Sequence, residues 1–488
     1  VLGGAAPSDR LRLAGALFDT LNARGIAYIH WKSNEHLPAA LKGETDLDLL
    51  VDPDHRTGFL DIIDKLGFVA MAPPPARAVP GLDSYLGFDP STGALLHLDV
   101  HYRLVLGEQL VKNHHLPVEG WLLSDPADLE GVRIPRPERE LLLLYIRAML
   151  KTTNRQFARS IIKGGSPLPA RIRKEVTWLT GLVDPSLLAE TAASSGLGLD
   201  ATELVDFHGR ASHDRLEWRY VFGRKRSLRR RLRVHERLPR YRAAPKKTWL
   251  RFRSGPVMRR LGLALPPRHL VGHAPVVAAV GADGSGKTRL TRDLESWLER
   301  KLVVHHLYFG QPKSGVLFKL LNKPGSMTRT RSGAGSSPGL LGHIARFTDG
   351  VKWLALARKR VRLARVAREW AGRGEIVIAE RYPLREFFAM ETPMDGPRLQ
   401  PDGPFAGLEI GRYRAIPAPD LTLVLDTNVD TLRDRKLDLT IEEHIAKVAA
   451  VQSLEAGPGM VMIDAGRPYE EVLLEAKTVI WKTLHESA

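Results

Sequence analysis

Gly281-Ala282-Asp283-Gly284-Ser285-Gly286-Lys287-Thr288 fits the pattern G-x-x-x-x-G-K-[ST] at every fixed position. The flanks fit as well. Residues 274–280 form a short apolar run that reads as a buried strand, and residues 289–302 carry the apolar spacing of an amphipathic helix. In such a turn the glycines let the backbone curl, so that successive N–H groups and the helix N-terminus face an anion. The expectation is a phosphate-binding loop with ATP and Mg²⁺ as cofactors. Gly281, Asp283, Gly284, Ser285 and Gly286 form its cradle. Lys287 reaches the β- and γ-phosphates, and the Thr288 hydroxyl holds Mg²⁺.

Working outward, four more apolar runs read as strands, at residues 301–308, 375–380, 420–426 and 460–465. Helical patterns separate them, which predicts a parallel α/β sheet with its active groups at the strands' carboxyl ends. The run at 375–380 ends in Glu380-Arg381-Tyr382. A carboxylate there can orient a metal-bound water or the acceptor, and an arginine can clamp an acceptor phosphate. After the run at 420–426 comes Thr431-Leu432-Arg433-Asp434-Arg435-Lys436, a cationic cluster suited to a lid over a transferring phosphoryl group.

Together these residues resemble the thymidylate kinase family across residues 271–488. The resemblance is carried by the phosphate loop, by Arg373-Gly374-Glu375 leading to Glu380-Arg381-Tyr382, by Pro419-Asp420 leading to Asp426, and by Ile463-Asp464-Ala465, in family order. It implies that Asp283 lies beside the acceptor, that Arg381 binds the acceptor's phosphate, and that Arg433 and Arg435 are the lid arginines. The sequence departs from the family in three places. The D-R-Y motif carries Glu380 instead of Asp. Arg385 stands where a base-binding Ser is expected. Tyr308-Phe309-Gly310-Gln311-Pro312 replaces the usual Arg-Glu-Pro turn. The ATP half is retained and the thymine half is not. Met394-Asp395-Gly396-Pro397-Arg398 and the loop after it are the expected source of a different acceptor pocket.

The bulk numbers set the frame. A chain of 488 residues holds two or three domains, and 43% hydrophobic with 26% charged residues is the balance of a soluble globular protein. The absence of cysteine excludes disulfides, thiol catalysis and cysteine-based zinc sites. No apolar run reaches the roughly 18–20 residues that span a bilayer. Val1-Leu2-Gly3-Gly4 shows no signal-peptide pattern. The expected location is the cytoplasm, with peripheral membrane attachment if the basic segment described below takes its lipid reading. The net charge is +17, and residues 210–260 hold 19 Lys/Arg against three acids, so that one segment accounts for +16 of it.

The N-terminal region, residues 1–130, reads as α+β. Ser8-Asp9 caps a helix over residues 10–23, a strand follows at 26–31, and Asp46-Leu47-Asp48 lies on a second strand. The i, i+2 spacing turns both carboxylates to one face, where a cation, a Lys or water must separate them. A third strand at 95–101 brings Asp99. The pattern resembles the minimal nucleotidyltransferase fold. Ser33 matches its small residue after a strand, Asp46 and Asp48 its acidic pair, and Asp99 its third acid. The resemblance implies a Mg²⁺ site on Asp46, Asp48 and Asp99. Lys32 stands where that family has a Gly that admits a triphosphate. His97, His101 and His114-His115 admit a zinc reading, set against one in which they line a substrate pocket or cap loops.

Residues 131–222 read as a helical extension, with helices at 138–150, 170–182, 185–193 and 200–221. Residues 223–270 read as a basic segment and linker with Trp218, Tyr220, Tyr241, Trp249 and Phe252 interleaved in or beside it. Three readings of residues 210–260 stay open. The segment binds an anionic membrane surface, it binds nucleic acid, or it is a solvated linker that packs on acids of its own chain. Residues 313–340, rich in Gly, Ser, Lys and Arg, read as mobile or as folding on substrate. The long helix expected at 344–370 carries Arg358, Arg360, Arg362, Arg365 and Arg368, read as mostly a polar face, with its first turns a candidate lining of the acceptor site.

The leading expectation is a multidomain α/β protein in which a nucleotidyltransferase-like module precedes a thymidylate kinase-like phosphotransferase. Its partner would be a small anionic phosphate acceptor, a nucleotide or a sugar phosphate. Two rivals stand beside it. One is a nucleotide-sensing regulatory or defence protein whose first module modifies a macromolecule. The other is an interaction protein held on membrane or nucleic acid by its basic segment. Nothing in the pattern sets an oligomeric state.

Overall fold

The computed structural model describes residues 10–108, 110–311, 340–389, 394–399, 405–428 and 441–487. It divides into two compact units, Val1–Pro267 and Arg268–Ala488.

The first unit opens with α1 (Arg12–Ala23), whose Leu13, Ala14, Leu17, Phe18 and Leu21 are buried. Leu11 occupies its N-cap position, and the expected cap at Ser8-Asp9 lies outside the described residues. Five strands of this unit follow: β1 (Tyr28–His30), β2 (Leu47–Val51), β3 (Val69–Ala72), β4 (Leu82–Asp89) and β5 (Ala94–His101). They lie in the order β1-β2-β5-β4-β3. The pairing of β2 with β5 is parallel, and the others are antiparallel. Strand β4 escaped the pattern search for a physical reason. It lies inside the sheet and is buried on both faces from Ser84 to Asp89, so the alternation that marks a half-exposed strand is absent.

One apolar cluster joins Ile29, Trp31 and Leu50 to the helices that follow, as far as Leu228 and Leu232. Most of the strands' apolar residues pack with α1 in a second cluster, and the first joins the segments read as 1–130, 131–222 and the start of 223–270. Its centre is α2 (Pro137–Lys151), in which every residue from Glu140 to Leu150 is buried. A helix apolar on nearly all sides needs neighbours all round. α3 (Ala170–Thr180), α4 (Ala201–Ser212) and α5 (Trp218–Arg231) are among them. The single helix expected over 200–221 is two helices, α4 and α5. The break falls at Asp214, held at φ 52°.

The acids buried in these helices have partners, Glu140 and Glu175 among them. Glu140 accepts hydrogen bonds from the Asn34 side chain at 2.7 Å and the Asn34 backbone N–H at 3.2 Å. Glu175 pairs with Arg147 at 2.6 Å.

In the second unit, β6 (Val276–Gly281), β7 (Val304–Tyr308), β8 (Ile376–Glu380), β9 (Leu421–Asp426) and β10 (Met460–Asp464) form a sheet in the order β7-β8-β6-β9-β10. Every pairing is parallel, as the sequence pattern predicts. The strand order reverses at β6, so the loop that leaves it opens at the switch point between β8 and β9, where ligands bind in open α/β sheets. The long helix is α6 (Leu340–Ala371). Residues 313–339 of the Gly/Ser-rich stretch lie outside the described residues.

Burial pushes the Glu140 carboxyl from its ordinary value of 4.5 up to about 8. Between those values the unfolded chain binds fewer protons than the folded one, so stability falls as pH rises from about 4.5 to about 8. Glu140→Gln keeps an acceptor for Asn34 and removes the titration. Its melting temperature should exceed the parent's by a margin that widens from about pH 5 to about pH 8. A margin independent of pH in thermal melts refutes the assignment.

Candidate functional site

The phosphate loop runs from the end of β6 into α7 (Lys287–Leu298). Gly286 sits at the N-cap with φ 94°, a conformation that L side chains rarely adopt. A Cβ on Gly281 would lie 2.8 Å from the Leu425 carbonyl of β9, so the loop crosses that strand at glycine distance. The Ser285 hydroxyl is buried without a hydrogen-bond partner among the described residues and is placed to meet a phosphate oxygen.

Lys287 donates to the carbonyls of Gly281 and Ala282 at 2.9 and 2.6 Å. Burial pushes its ammonium down to about 8, and the Arg381 charge adds to that. Thr288 and Glu380, expected as a metal ligand and a carboxylate nearby, meet directly. The Thr288 hydroxyl donates to Glu380 Oε1 at 2.7 Å. A hydroxyl and a carboxylate side by side are the hard oxygen donors that Mg²⁺ takes, so these residues fit that ion.

Across from the loop, Arg381 follows β8 with φ 59°, a left-handed turn rare outside glycine. Its guanidinium bonds Asp283 and lies 3.6 Å from Asp395 Oδ2. Lys447 reaches the other Asp283 oxygen at 2.7 Å. Burial alone would raise the Asp283 carboxyl. The Lys447 hydrogen bond and the Arg381 charge outweigh it and hold the group well below the usual carboxylate range. Asp395 stands the other way, raised by burial despite Arg360 and Arg381. Loop, helix and strand ends enclose a cavity of about 770 Å³ lined by Asp283, Lys287, Thr288, Tyr308, Glu380 and Arg381 among others.

Two of these groups, Lys447 and Arg360, were not singled out as site residues in the sequence. Lys447 lies 164 residues from Asp283 and stands in no motif. Asp395 belongs to the Met394–Arg398 stretch expected to supply an acceptor pocket, and it lies beside Arg381. Arg360 was assigned to a polar face, and the structure corrects this: Arg360 is 2% exposed. It donates to the Phe309 carbonyl at 2.8 Å and the Tyr413 hydroxyl at 2.6 Å, and pairs with Asp395 at 3.0 Å. The signal was present in the spacing, since Arg360 shares a helical face with the buried Ala357, Ala364, Ala367 and Ala371. Arg433 and Arg435 lie outside the described residues.

The first unit gathers the other predicted acids. Asp48 stands opposite Asp99 in the parallel register of β2 and β5, and Asp46 lies one residue before β2. Of the separators anticipated between the carboxylates, the structure has a lysine. Lys32 Nζ is 2.5 Å from Asp48. Burial alone would raise Asp48, and Lys32 outweighs it and lowers it. His97 reaches Asp46 at 2.8 Å and Asp99 at 3.4 Å, and the Ser84 hydroxyl donates to Asp99 at 2.6 Å. Among the described residues no group of three or more His, Asp or Glu side chains is arranged to hold a metal ion. His101 packs edge-on against Trp31 at 5.2 Å, and burial pushes its ring down to about 3. Ser33 has φ 59°, and Arg147 donates to its hydroxyl at 3.4 Å. The acids face a cavity of about 410 Å³ that Lys151 and Arg171 also line. Sequence reasoning missed Lys151, whose ammonium burial pushes down to about 7 with help from Arg147.

No family model matches the chain. Uncharacterized ATP-binding protein YghR from two strains of Escherichia coli is 25% identical over 246 residues, covering 44% of this chain and 88% of the relative. Among solved structures, thymidylate kinase from Candida albicans aligns at 14% identity with a TM-score of 0.30, over 44% of this chain and 94% of that one. The phosphate-loop sequence, carried at the switch point of a five-stranded parallel sheet, makes the second unit a P-loop domain.

Arg360 is the nearer of two cations that pair with the mostly buried Asp395, so losing it leaves that carboxylate only Arg381 at 3.6 Å and empties a buried site. Arg360→Ala should lower the unfolding free energy in urea by about 3–5 kcal/mol. Arg358→Ala, on the exposed face of the same helix, should change it by less than about 0.5 kcal/mol. Similar small losses in both return Arg360 to the polar face.

Proposed function

We propose that the second unit transfers a phosphoryl group from ATP to a small anionic acceptor, a nucleotide or a sugar phosphate, with Mg²⁺. The observation that carries this reading is Arg381, a cation turned toward the phosphate loop and shared between Asp283 and Asp395. An acceptor phosphate can take the place of one of those carboxylates. The name of the Escherichia coli relatives supports ATP as the donor.

In this reading the loop N–H groups and the N-terminus of α7 hold the donor phosphates. Lys287 exchanges its carbonyl partners Gly281 and Ala282 for phosphate oxygens. Thr288 and Glu380 would hold Mg²⁺, which when bound neutralises charge on the phosphates. Asp283 keeps Arg381 oriented, and Lys447 keeps Asp283 ionised. Arg381 sets the acceptor phosphate in line with the loop, so positioning and electrostatics supply the catalysis. Arg433 and Arg435 act as the lid cations. Arg385 is exposed and donates to the Arg414 carbonyl at 3.1 Å, which supports an acceptor other than dTMP.

A second role belongs to the first unit, a nucleotidyltransferase-like module acting on a macromolecule in a regulatory setting. The register that faces Asp48 with Asp99 favours it. Lys32, at the place of the family's glycine, would meet a phosphate as a point charge.

An acceptor screen with ATP and Mg²⁺, covering deoxynucleoside and ribonucleoside monophosphates and a panel of sugars and sugar phosphates, tests the first reading. Turnover with an anionic acceptor, lost by at least about a hundredfold in Lys287→Ala, is expected. A preference for dTMP or for a neutral acceptor overturns the role given to Arg381 and Arg385.

The affinity of the free enzyme for ATP should weaken as pH rises through about 8, where Lys287 loses its proton. Phosphate binding stabilises the ammonium, so above that pH binding takes up a proton, which calorimetry in buffers of different ionisation enthalpy reads directly. Label transfer from α-labelled nucleotide to protein or RNA, abolished by Asp46→Ala with Asp48→Ala, is the outcome expected of the second role. Transfer that survives both substitutions removes it.

A further inference from the structure

The basic segment is neither a linker nor wholly occupied by its own chain. Its inner cations are matched within the first unit. Arg224 pairs with Glu203 and Asp206, and Arg229 and Lys247 both pair with Glu108. Its outer cations are matched only in part: Arg240 pairs with Glu236 at 3.7 Å, while Arg242, Arg251 and Arg260 have no acidic partner among the described residues.

The outer layer consists of α8 (Arg240–Arg253) and α9 (Pro256–Arg260). Leu250 anchors α8 inward and is fully buried. On the opposite face, helical spacing aligns Tyr241, Thr248, Trp249 and Phe252. Tyr241 is 71% exposed and Phe252 59%. Arg242, Lys246 and Arg253 run along one flank of that stripe, and Arg240 and Arg251 along the other. The Arg242 and Arg253 guanidiniums lie 5.7 and 5.9 Å from the Tyr241 and Trp249 rings. The pattern continues into α9 and the turn after it, where Val257, Leu261 and Leu263 are exposed beside Arg259 and Arg260.

We propose that this face docks on an anionic lipid bilayer, with Tyr241, Trp249, Phe252, Val257 and Leu261 entering the headgroup boundary and the flanking arginines meeting lipid phosphates. An exposed apolar stripe bordered by cations on both sides, with Arg242 on one flank and Arg251 on the other lacking an acidic partner among the described residues, is complementary to a surface that is apolar beneath and anionic above. Nucleic acid satisfies only part of the pattern. Bases can stack on Tyr241, Trp249 and Phe252, but a phosphodiester groove offers nothing to Val257, Leu261 and Leu263. The lysine and arginine stems also cover apolar surface while their charged ends stay at the phosphates.

Co-sedimentation of the full chain with phosphatidylcholine vesicles, alone and mixed with phosphatidylglycerol, tests the proposal. Binding to the mixed vesicles only is expected. Tyr241→Ser with Trp249→Ser and Phe252→Ser should weaken it at least about tenfold, with no change in melting temperature because all three side chains are exposed. Arg242→Gln with Arg251→Gln should weaken it about thirtyfold at low salt, at about 1 kcal/mol per cation near an anionic surface. Four outcomes overturn the proposal. They are equal binding to both vesicle types, undiminished binding by the aromatic triple variant, binding to duplex or single-stranded oligonucleotides without binding to vesicles, and self-association lost in the triple variant without binding to vesicles.

Discussion

A carboxylate held between two cations organises the phosphate-loop site. Asp283 sits inside the phosphate loop, where its own burial opposes ionisation. Lys447 from one helix and Arg381 from the end of β8 reverse that balance. Because an uncompensated buried charge is costly, loop, strand end and helix are tied to one geometry. Arg381 then extends the same logic to Asp395, and Arg360 to the far side of Asp395. The chain of alternating charges fixes the acceptor side of the cavity, while the backbone of the loop fixes the phosphate side.

The first unit solves a similar problem with other residues. Asp48 and Asp99 face each other across paired strands, and Lys32 lies against Asp48. His97 links Asp46 to Asp99. In both units a non-glycine residue with φ 59° stands beside the charge cluster, Ser33 in one and Arg381 in the other. Such residues cost about 1–3 kcal/mol each and persist where surrounding contacts over-determine them. The contacts are on hand: Ser33 receives Arg147 and donates its backbone N–H to Glu175 at 3.1 Å, and Arg381 is bound to Asp283.

The basic segment divides by depth. Val221, Leu228, Leu232 and Leu250 are buried, which makes it part of a packed unit. Its charge is balanced only on the inner side. A composition argument sees a single sum of +16 over residues 210–260 and cannot divide it, because pairing depends on where Glu108, Glu203 and Asp206 fall in three dimensions.

The sequence by itself determined what depends on neighbours along the chain. The phosphate loop, the five parallel strands around it, the Glu380-Arg381-Tyr382 corner and the acids Asp46, Asp48 and Asp99 all follow from motif spacing and apolar runs. Only the tertiary structure decided which charges meet. Lys447 reaches Asp283 across 164 residues, Arg360 turns inward with an alanine face, and Lys32 settles on Asp48. It also decided that the helical extension packs on Ile29, Trp31 and Leu50, because an all-round apolar helix such as α2 leaves its choice of partners to packing. Local backbone preference is written in short windows of sequence. Charge pairing and core membership are set by desolvation among groups that the chain brings together only once it has folded.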